Sequence, residues 1–229
     1  MGERYIKGRK SVRVEKYLVN LLCRAGSIEK ARTRLEALKG GLSLRQYFEL
    51  KSEILEFEGR FADAIDAIYS IPDRLEFTED YTTHLTYLYM KSEQFEKAFE
   101  ISSSFLKDRN YNPNYRADII NREFSKKKLG RNPKVQNLNR IVENSASDPD
   151  CRAGALLVLG EHDQAYEIFR SESDNDFSKL EGYLRWPIAQ VISDKLAALR
   201  DSLTSSKRTL DELVSIESGS KISGSGDIS

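Results

Sequence analysis

Residues 59–71 read Gly-Arg-Phe-Ala-Asp-Ala-Ile-Asp-Ala-Ile-Tyr-Ser-Ile, and this stretch decides the fold. A glycine that can turn the chain is followed by an aromatic, Phe61, and then by a small residue, Ala64. Beyond it Ile65, Ile68 and Ile71 recur at the spacing of one helix face. The same order returns as Gly26-Ser27-Ile28 with Ala31, as Glu93-Gln94-Phe95 with Ala98, and as Gly160-Glu161-His162 with Ala165. A degraded copy is Gly130-Arg131-Asn132 with Val135. The anchors at positions 31, 64, 98, 135 and 165 are separated by 33, 34, 37 and 30 residues. A period in this range marks a chain built from structural repeats.

Each turn is preceded by an amphipathic segment, such as Val14, Leu18, Leu21 and Leu22, and followed by another, such as Phe95, Phe99 and Phe105. The unit is therefore a helical hairpin, and its small anchor residue lets the two helices approach closely. A hairpin of this kind cannot bury its apolar side alone, so successive units must stack. Pro72, Pro113 and Pro149 fall after second helices, where they end one unit and set up the next. Residues 110–114, Asn-Tyr-Asn-Pro-Asn, and 147–150, Ser-Asp-Pro-Asp, carry turn and cap chemistry.

These turn glycines, following aromatics, anchor alanines and closing prolines resemble the tetratricopeptide repeat family. The resemblance covers residues 11–172 and is clearest from Tyr47 to Pro72. It implies an all-α, right-handed α-solenoid of about five helix-turn-helix repeats. Residues 173–217 are expected to form C-terminal capping helices, and residues 218–229 a disordered Gly/Ser tail. In the capping segment Leu180, Leu184, Ile188, Val191, Ile192 and Leu196 share an apolar face, and Trp186 precedes a helix-breaking Pro187. The first copy, Tyr17 to Ala31, is also similar to a pentatricopeptide repeat, a cousin family that binds single-stranded RNA. Later copies depart from that family's nearly constant length.

Composition agrees with a helical protein: 31% of the 229 residues are charged, with 13 Gly and 5 Pro. Cys23 and Cys151 are too few for a disulfide scaffold or a cysteine-rich zinc site. No apolar run approaches the roughly 20 residues that span a bilayer, and no signal peptide is visible. A cytoplasmic location and no membrane association are expected. The balance of 36 basic and 36 acidic residues hides an alternation. Residues 1–40 hold 11 basic and 4 acidic side chains, residues 41–110 hold 8 and 14, residues 111–140 hold 8 and 2, and residues 141–229 hold 9 and 16.

Catalytic chemistry finds little material. Gly8-Arg-Lys-Ser11 lacks the first glycine of a phosphate loop, and only His84 and His162 could serve as imidazole bases or metal ligands. Pro149-Asp150 followed by Glu161-His162-Asp163 superficially resembles a nuclease carboxylate pair, but position 165 is alanine where such a site needs lysine. Capping explains those acids better. The chain is expected to be non-catalytic, with no cofactor and no metal.

The expected function is a protein–protein interaction scaffold. The tetratricopeptide resemblance implies a groove lined by the first helices, holding Lys16, Asn20, Arg24, Gln46, Glu49, Glu53, Asp80 and His84. Basic residues lead and acidic ones follow, which suits a peptide or a partner protein with separated charges. The clamp of chaperone-binding relatives is incomplete, because the positions matching Lys16 and Asn20 carry Glu49 and Glu53, then Thr83 and Tyr87. A second candidate surface is basic: Arg122, Lys126, Lys127, Lys128, Arg131 and Lys134. With the N-terminal segment 1–40 it forms the alternative, an RNA-binding helical-repeat protein, although nucleic acid is the less expected partner. A third reading is the sensor half of a larger effector system. Opposite-signed halves also suit a homo-oligomer.

Overall fold

Five residues in the described chain take a positive φ, and they are the five turn residues of the repeat. Gly26, Gly59, Gly130 and Gly160 lie at φ 70°, 74°, 70° and 96°, and Glu93 at 59°. Each turn closes by the same pair of hydrogen bonds. The N–H of Gly26 donates to the Cys23 carbonyl at 3.0 Å, and that of Ser27 to the Leu22 carbonyl at 2.8 Å. The pairs at Gly59, Glu93, Gly130 and Gly160 repeat this register at 2.8–3.2 Å. This is the left-handed helix terminus that glycine favours. An added Cβ would meet nothing within 4 Å at any of the four glycines, so backbone strain rather than space selects glycine there.

The computed structural model describes residues 14–71, 79–107 and 115–205, apart from the side chains at 79, 80 and 178. The described residues are all-helical, with no strand. In order the helices are α1 (residues 14–24), α2 (Ile28–Leu38), α3 (Leu44–Phe57), α4 (Phe61–Tyr69), α5 (Glu79–Lys91), α6 (Phe95–Leu106), α7 (Arg116–Lys128), α8 (Val135–Glu143), α9 (Pro149–Leu159), α10 (His162–Asn175), α11 (Phe177–Arg185) and α12 (residues 193–205). A 3₁₀ segment, Pro187–Ile192, joins the last two. The chain divides into two compact units, one ending at Pro133 and one beginning at Lys134. Pro72, Pro113, the expected groove side chain of Asp80, and the tail from residue 206 lie outside the described residues.

In the first unit each helix from α2 to α6 packs against its successor, and α5 also meets α7. The anchors Ala31, Ala64 and Ala98 are fully buried, and each donates its N–H to the residue before its helix at 3.0–3.1 Å. A larger side chain there would hold the paired helices apart. Val19 and Cys23 of α1 join Ala31, Leu35, Leu50 and Ile54 in one core cluster. This corrects the expected face of α1. Val14 and Leu21 are 54% and 41% exposed, and the buried stripe is rotated to Val19 and Cys23.

In the second unit α9 packs on both α8 and α10, and the segment from α11 to the 3₁₀ turn closes over α9 and α10. Ala165 repeats the buried anchor. The fourth copy does not: Val135 is 49% exposed, and the buried residue is Leu138, whose N–H reaches the Lys134 carbonyl. Residues 131–134 form a longer connection that delays the helix, so the anchor falls three positions later than the turn-to-anchor spacing of the other copies predicts. Asp148 caps α9 through its carboxylate, accepting from the Cys151 N–H at 2.9 Å, with Pro149 at the first helical position. Pro187 breaks the next helix after Arg185 as expected, and Trp186 sits half-buried, edge-on to Phe169 at 6.2 Å. Of the expected capping face, Leu180, Ile188, Ile192 and Leu196 are buried, whereas the tight 3₁₀ turn rotates Val191 outward, 57% exposed. Cys23 is buried, but Cys151 is only half-buried. His162, in the turn of the fifth copy, is half-buried as well.

Candidate functional site

The first helices of the first three copies, α1, α3 and α5, share a polar face whose side chains bond from helix to helix. Lys16 of α1 donates to Glu49 Oε2 of α3 at 3.0 Å. Arg45, one turn earlier on α3, donates to the other oxygen of Glu49 at 2.8 Å, and Tyr81 of α5 reaches that oxygen at 3.3 Å. A turn further along α3, Asn20 of α1 donates to Glu53, which also feels the charges of His84 and Lys16. Beyond it Tyr87 of α5 donates to Glu56 at 3.0 Å, and His84 Nε2 stands 3.6 Å from the other Glu56 oxygen. Thr83 of α5 then donates to the buried Asp118 of α7 at 2.9 Å. The hydrogen bonds between these helices join residues 33, 32, 31 and 35 apart. The period of the sequence reappears as a ladder of side-chain bonds.

Glu49, Glu53 and Glu56 fall on one face of α3 because they are one helical turn apart. Their surroundings separate them. Burial works against charge on Glu49, but the donors Arg45 and Lys16 outweigh it and hold its carboxyl below the usual glutamate range. At Glu53 burial wins over the Asn20 hydrogen bond and the nearby cations, and its carboxyl is pushed up. The ladder therefore holds one firmly ionised carboxylate beside one that takes up a proton readily.

Of the expected groove residues, the structure brings together Lys16, Asn20, Glu49, Glu53 and His84. Lys16 and Glu49, expected to mark opposite poles, form an ion pair with each other. Gln46 is engaged otherwise: its side chain accepts from the Ser43 N–H at 3.0 Å and completes a capping box at the start of α3. Arg24 is exposed near the end of α1.

The basic segment turns inward more than its charge suggests. Arg122 and Lys126 hold the fully buried Glu123 at 2.7 and 3.3 Å. Lys128 lies over the rings of Phe95 and Phe124 at 5.9 and 5.5 Å, and Phe124 is buried. Arg131 pairs with Glu96 at 2.9 Å and lies 5.2 Å from the Phe99 ring. Lys127 is exposed at the end of α7, and Lys134 is exposed where α8 begins. Sequence reasoning missed these cation–aromatic pairs, although a signal exists. Lys91 and Lys128 stand two positions before a turn, and each covers the aromatic two positions after the preceding turn, Phe61 at 5.6 Å and Phe95 at 5.9 Å.

A cleft of about 460 Å³ lies on another side of the first unit, between α2, α3 and α4. Leu35, Ile54 and Ala67 contribute apolar lining, and Arg32, Glu36, Lys51, Asp63 and Asp66 contribute charges of both signs. Among the described residues no group of three His, Cys, Asp or Glu side chains is placed to hold a metal ion, and no helix is long and apolar enough to cross a membrane. Compared with protein-family models and with curated proteins, the chain matches none.

Proposed function

We propose that this chain is a tetratricopeptide-like, right-handed α-solenoid that binds a peptide or partner protein along the polar face of its first helices. The observation that carries this reading is the ladder from Lys16 through Glu49, Glu53 and His84 to Glu56, with side chains that are half-buried rather than sealed. Such groups are positioned by their neighbours and still reachable, so a ligand meets donors and acceptors whose ordering cost is already met. The turn geometry shared by five hairpins supports the repeat architecture. Complementary charge in such a face sets encounter rate and selectivity more than raw affinity.

The pairing of Arg122 and Lys126 with the buried Glu123 favours protein over RNA as the ligand, because a phosphate chain needs cations free to release counterions. The test is a pull-down with the purified chain, its Lys16→Glu variant and its Lys126→Glu/Lys127→Glu variant, with bound proteins identified and confirmed by direct titration. Loss of a partner with Lys16→Glu but not with the lysine pair supports the reading. Sub-micromolar RNA binding that weakens steeply with salt and is lost in the lysine-pair variant overturns it.

A further inference from the structure

The cleft between α2, α3 and α4 is lined by two opposite charges that the described part of the chain leaves unmatched. Its other charged groups are engaged. Arg32 is held by Glu58 at 2.6 Å and stands 3.7 Å from Glu29. Arg60 donates to Asp63 at 2.7 Å and stands 3.5 Å from Glu58. Glu36 accepts from the Tyr47 hydroxyl at 2.7 Å and lies 3.9 Å from Lys39. Lys51 and Asp66 differ: among the described residues neither forms an ion pair, with the other or with a third group. Both line the cleft, Lys51 from α3 and Asp66 from α4. Lys51 stands eight positions before Gly59 and Asp66 seven after it, so the two helices of the hairpin bring them to the same level. Lys51 also departs from the repeat. Counted back from the anchors, its position is Leu18 in the first copy and the buried Leu85 in the third. A break in a local pattern is expected where a position serves function rather than packing. The acid has a telling counterpart in the fifth copy: Glu167 occupies the position of Asp66, and there Arg170 pairs with it at 2.6 Å. In the second copy the residue three after Asp66 is Tyr69, and the carboxylate stays unmatched.

We infer that this cleft is a binding site for a small zwitterion with an apolar body, the chemistry of an apolar α-amino acid. Lys51 receives the carboxylate and Asp66 the ammonium. The buried side chains of Leu35, Ile54, Leu55 and Ala67 supply the apolar lining for the body. A volume of about 460 Å³ lies within the range of small-molecule sites, which combine apolar walls with a few orienting polar groups. Charge narrows the choice. A plain anion such as phosphate would meet Asp66 beside Lys51, and a plain cation would meet Lys51 beside Asp66. A ligand that carries both charges satisfies the two groups at once. Each contact is a hydrogen bond between ionised partners, the stronger kind. The site lies apart from the polar face of the first helices and stands or falls independently of it.

The probes are L-leucine, L-leucinamide, which lacks the carboxylate, and N-acetyl-L-leucine, which lacks the ammonium. Each is titrated into the isotope-labelled full chain and followed by backbone amide shifts in NMR spectra. Leucine should give saturable shifts on α2, α3 and α4, and each single-charge analogue should bind roughly tenfold or more weakly. Lys51→Gln should weaken leucine about tenfold and leave leucinamide unchanged, because that analogue has nothing for the lysine to hold. Asp66→Asn should weaken leucine to a similar extent and leave N-acetyl-leucine unchanged. Both residues are exposed, so neither variant disturbs the core. Lys16→Glu, which removes partner binding under the proposed function, should alter none of these affinities. The absence of saturable shifts with leucine overturns the proposal, as do shifts that fall outside α2, α3 and α4. Analogues that bind as tightly as leucine, or leucine binding that neither variant weakens, overturn it as well.

Discussion

The first helices of the two units use one hairpin design with opposite degrees of burial. In the first unit, α3 is buried along Leu50, Ile54 and Leu55 and carries Glu49, Glu53 and Glu56 on a face that stays partly open. In the second, α9 is buried at every position from Ala153 to Val158 and keeps few polar groups to offer. The turns on either side are the same: Gly59 and Gly160 both take positive φ, and Ala64 and Ala165 are both fully buried. What differs is the cover. The α11 and 3₁₀ segment packs over α9 and α10 in the second unit. A shared backbone grammar therefore fixes the hairpin, while the neighbours decide whether a first helix is a core element or keeps a partly open polar face.

The largest expected effects test the buried groups on which this contrast rests. Replacing Glu123 with Ala strands Arg122 and Lys126 beside a buried void, and should cost about 3–5 kcal/mol in urea denaturation. If the loss is below about 1 kcal/mol, the cations of α7 are surface charges and the RNA reading regains ground. Leu138→Ala should cost about 2–5 kcal/mol, and Val135→Ala almost nothing. The reverse order would restore Val135 as the anchor of the fourth copy. Ala64→Leu and Ala165→Leu should each cost about 1–3 kcal/mol, because both anchors sit where helices touch. A large difference between them would show that the two units do not share one hairpin design.

Smaller effects probe the turns and the ladder. Glu93 is the one non-glycine residue in the left-handed position among the described residues, so Glu93→Gly should stabilise by up to about 1 kcal/mol, whereas Gly59→Ala should destabilise by a similar amount. Equal effects of the same sign at both would mean that the turns are not equivalent. The ladder makes a prediction in pH. Glu49 has a folded pKa below its unfolded value, so its contribution is present above the ordinary glutamate range, near pH 4.3, and disappears as the pH falls through the folded value. Glu53 has a raised folded pKa, so its contribution is complete below that range and declines as the pH rises through the folded value. Thermal melts should therefore show Glu49→Gln losing stability mainly at neutral pH. Glu53→Gln should instead be neutral or stabilising there. Parallel pH profiles for the two variants would mean that the carboxylates are not separated by their surroundings.

Much of the fold was legible in the chain because local chemistry dictates it. The turn residues, the four buried anchors Ala31, Ala64, Ala98 and Ala165, the break at Pro187 and the cap at residues 148–149 all depend on nearest neighbours and backbone preference. The candidate site was legible only in part. Position within the period placed Lys16, Glu49, Glu53 and His84 on first helices, but not that Lys16 and Glu49 would neutralise each other, or that Gln46 would be taken up by capping. Those outcomes depend on where a second helix puts its side chains.

By itself, then, the sequence determined the all-helical class, the period and the place of each turn, because glycine, proline and apolar spacing act over a few residues. Tertiary structure decided which face of each helix is used. It rotated the buried stripe of α1 to Val19 and Cys23, moved the fourth anchor to Leu138, and drew Arg122, Lys126, Lys128 and Arg131 onto Glu123, Glu96 and aromatic rings. Charge counts carry no direction, and a helix of mixed residues has several workable faces. The choice among them is made by packing between helices that the local sequence does not encode.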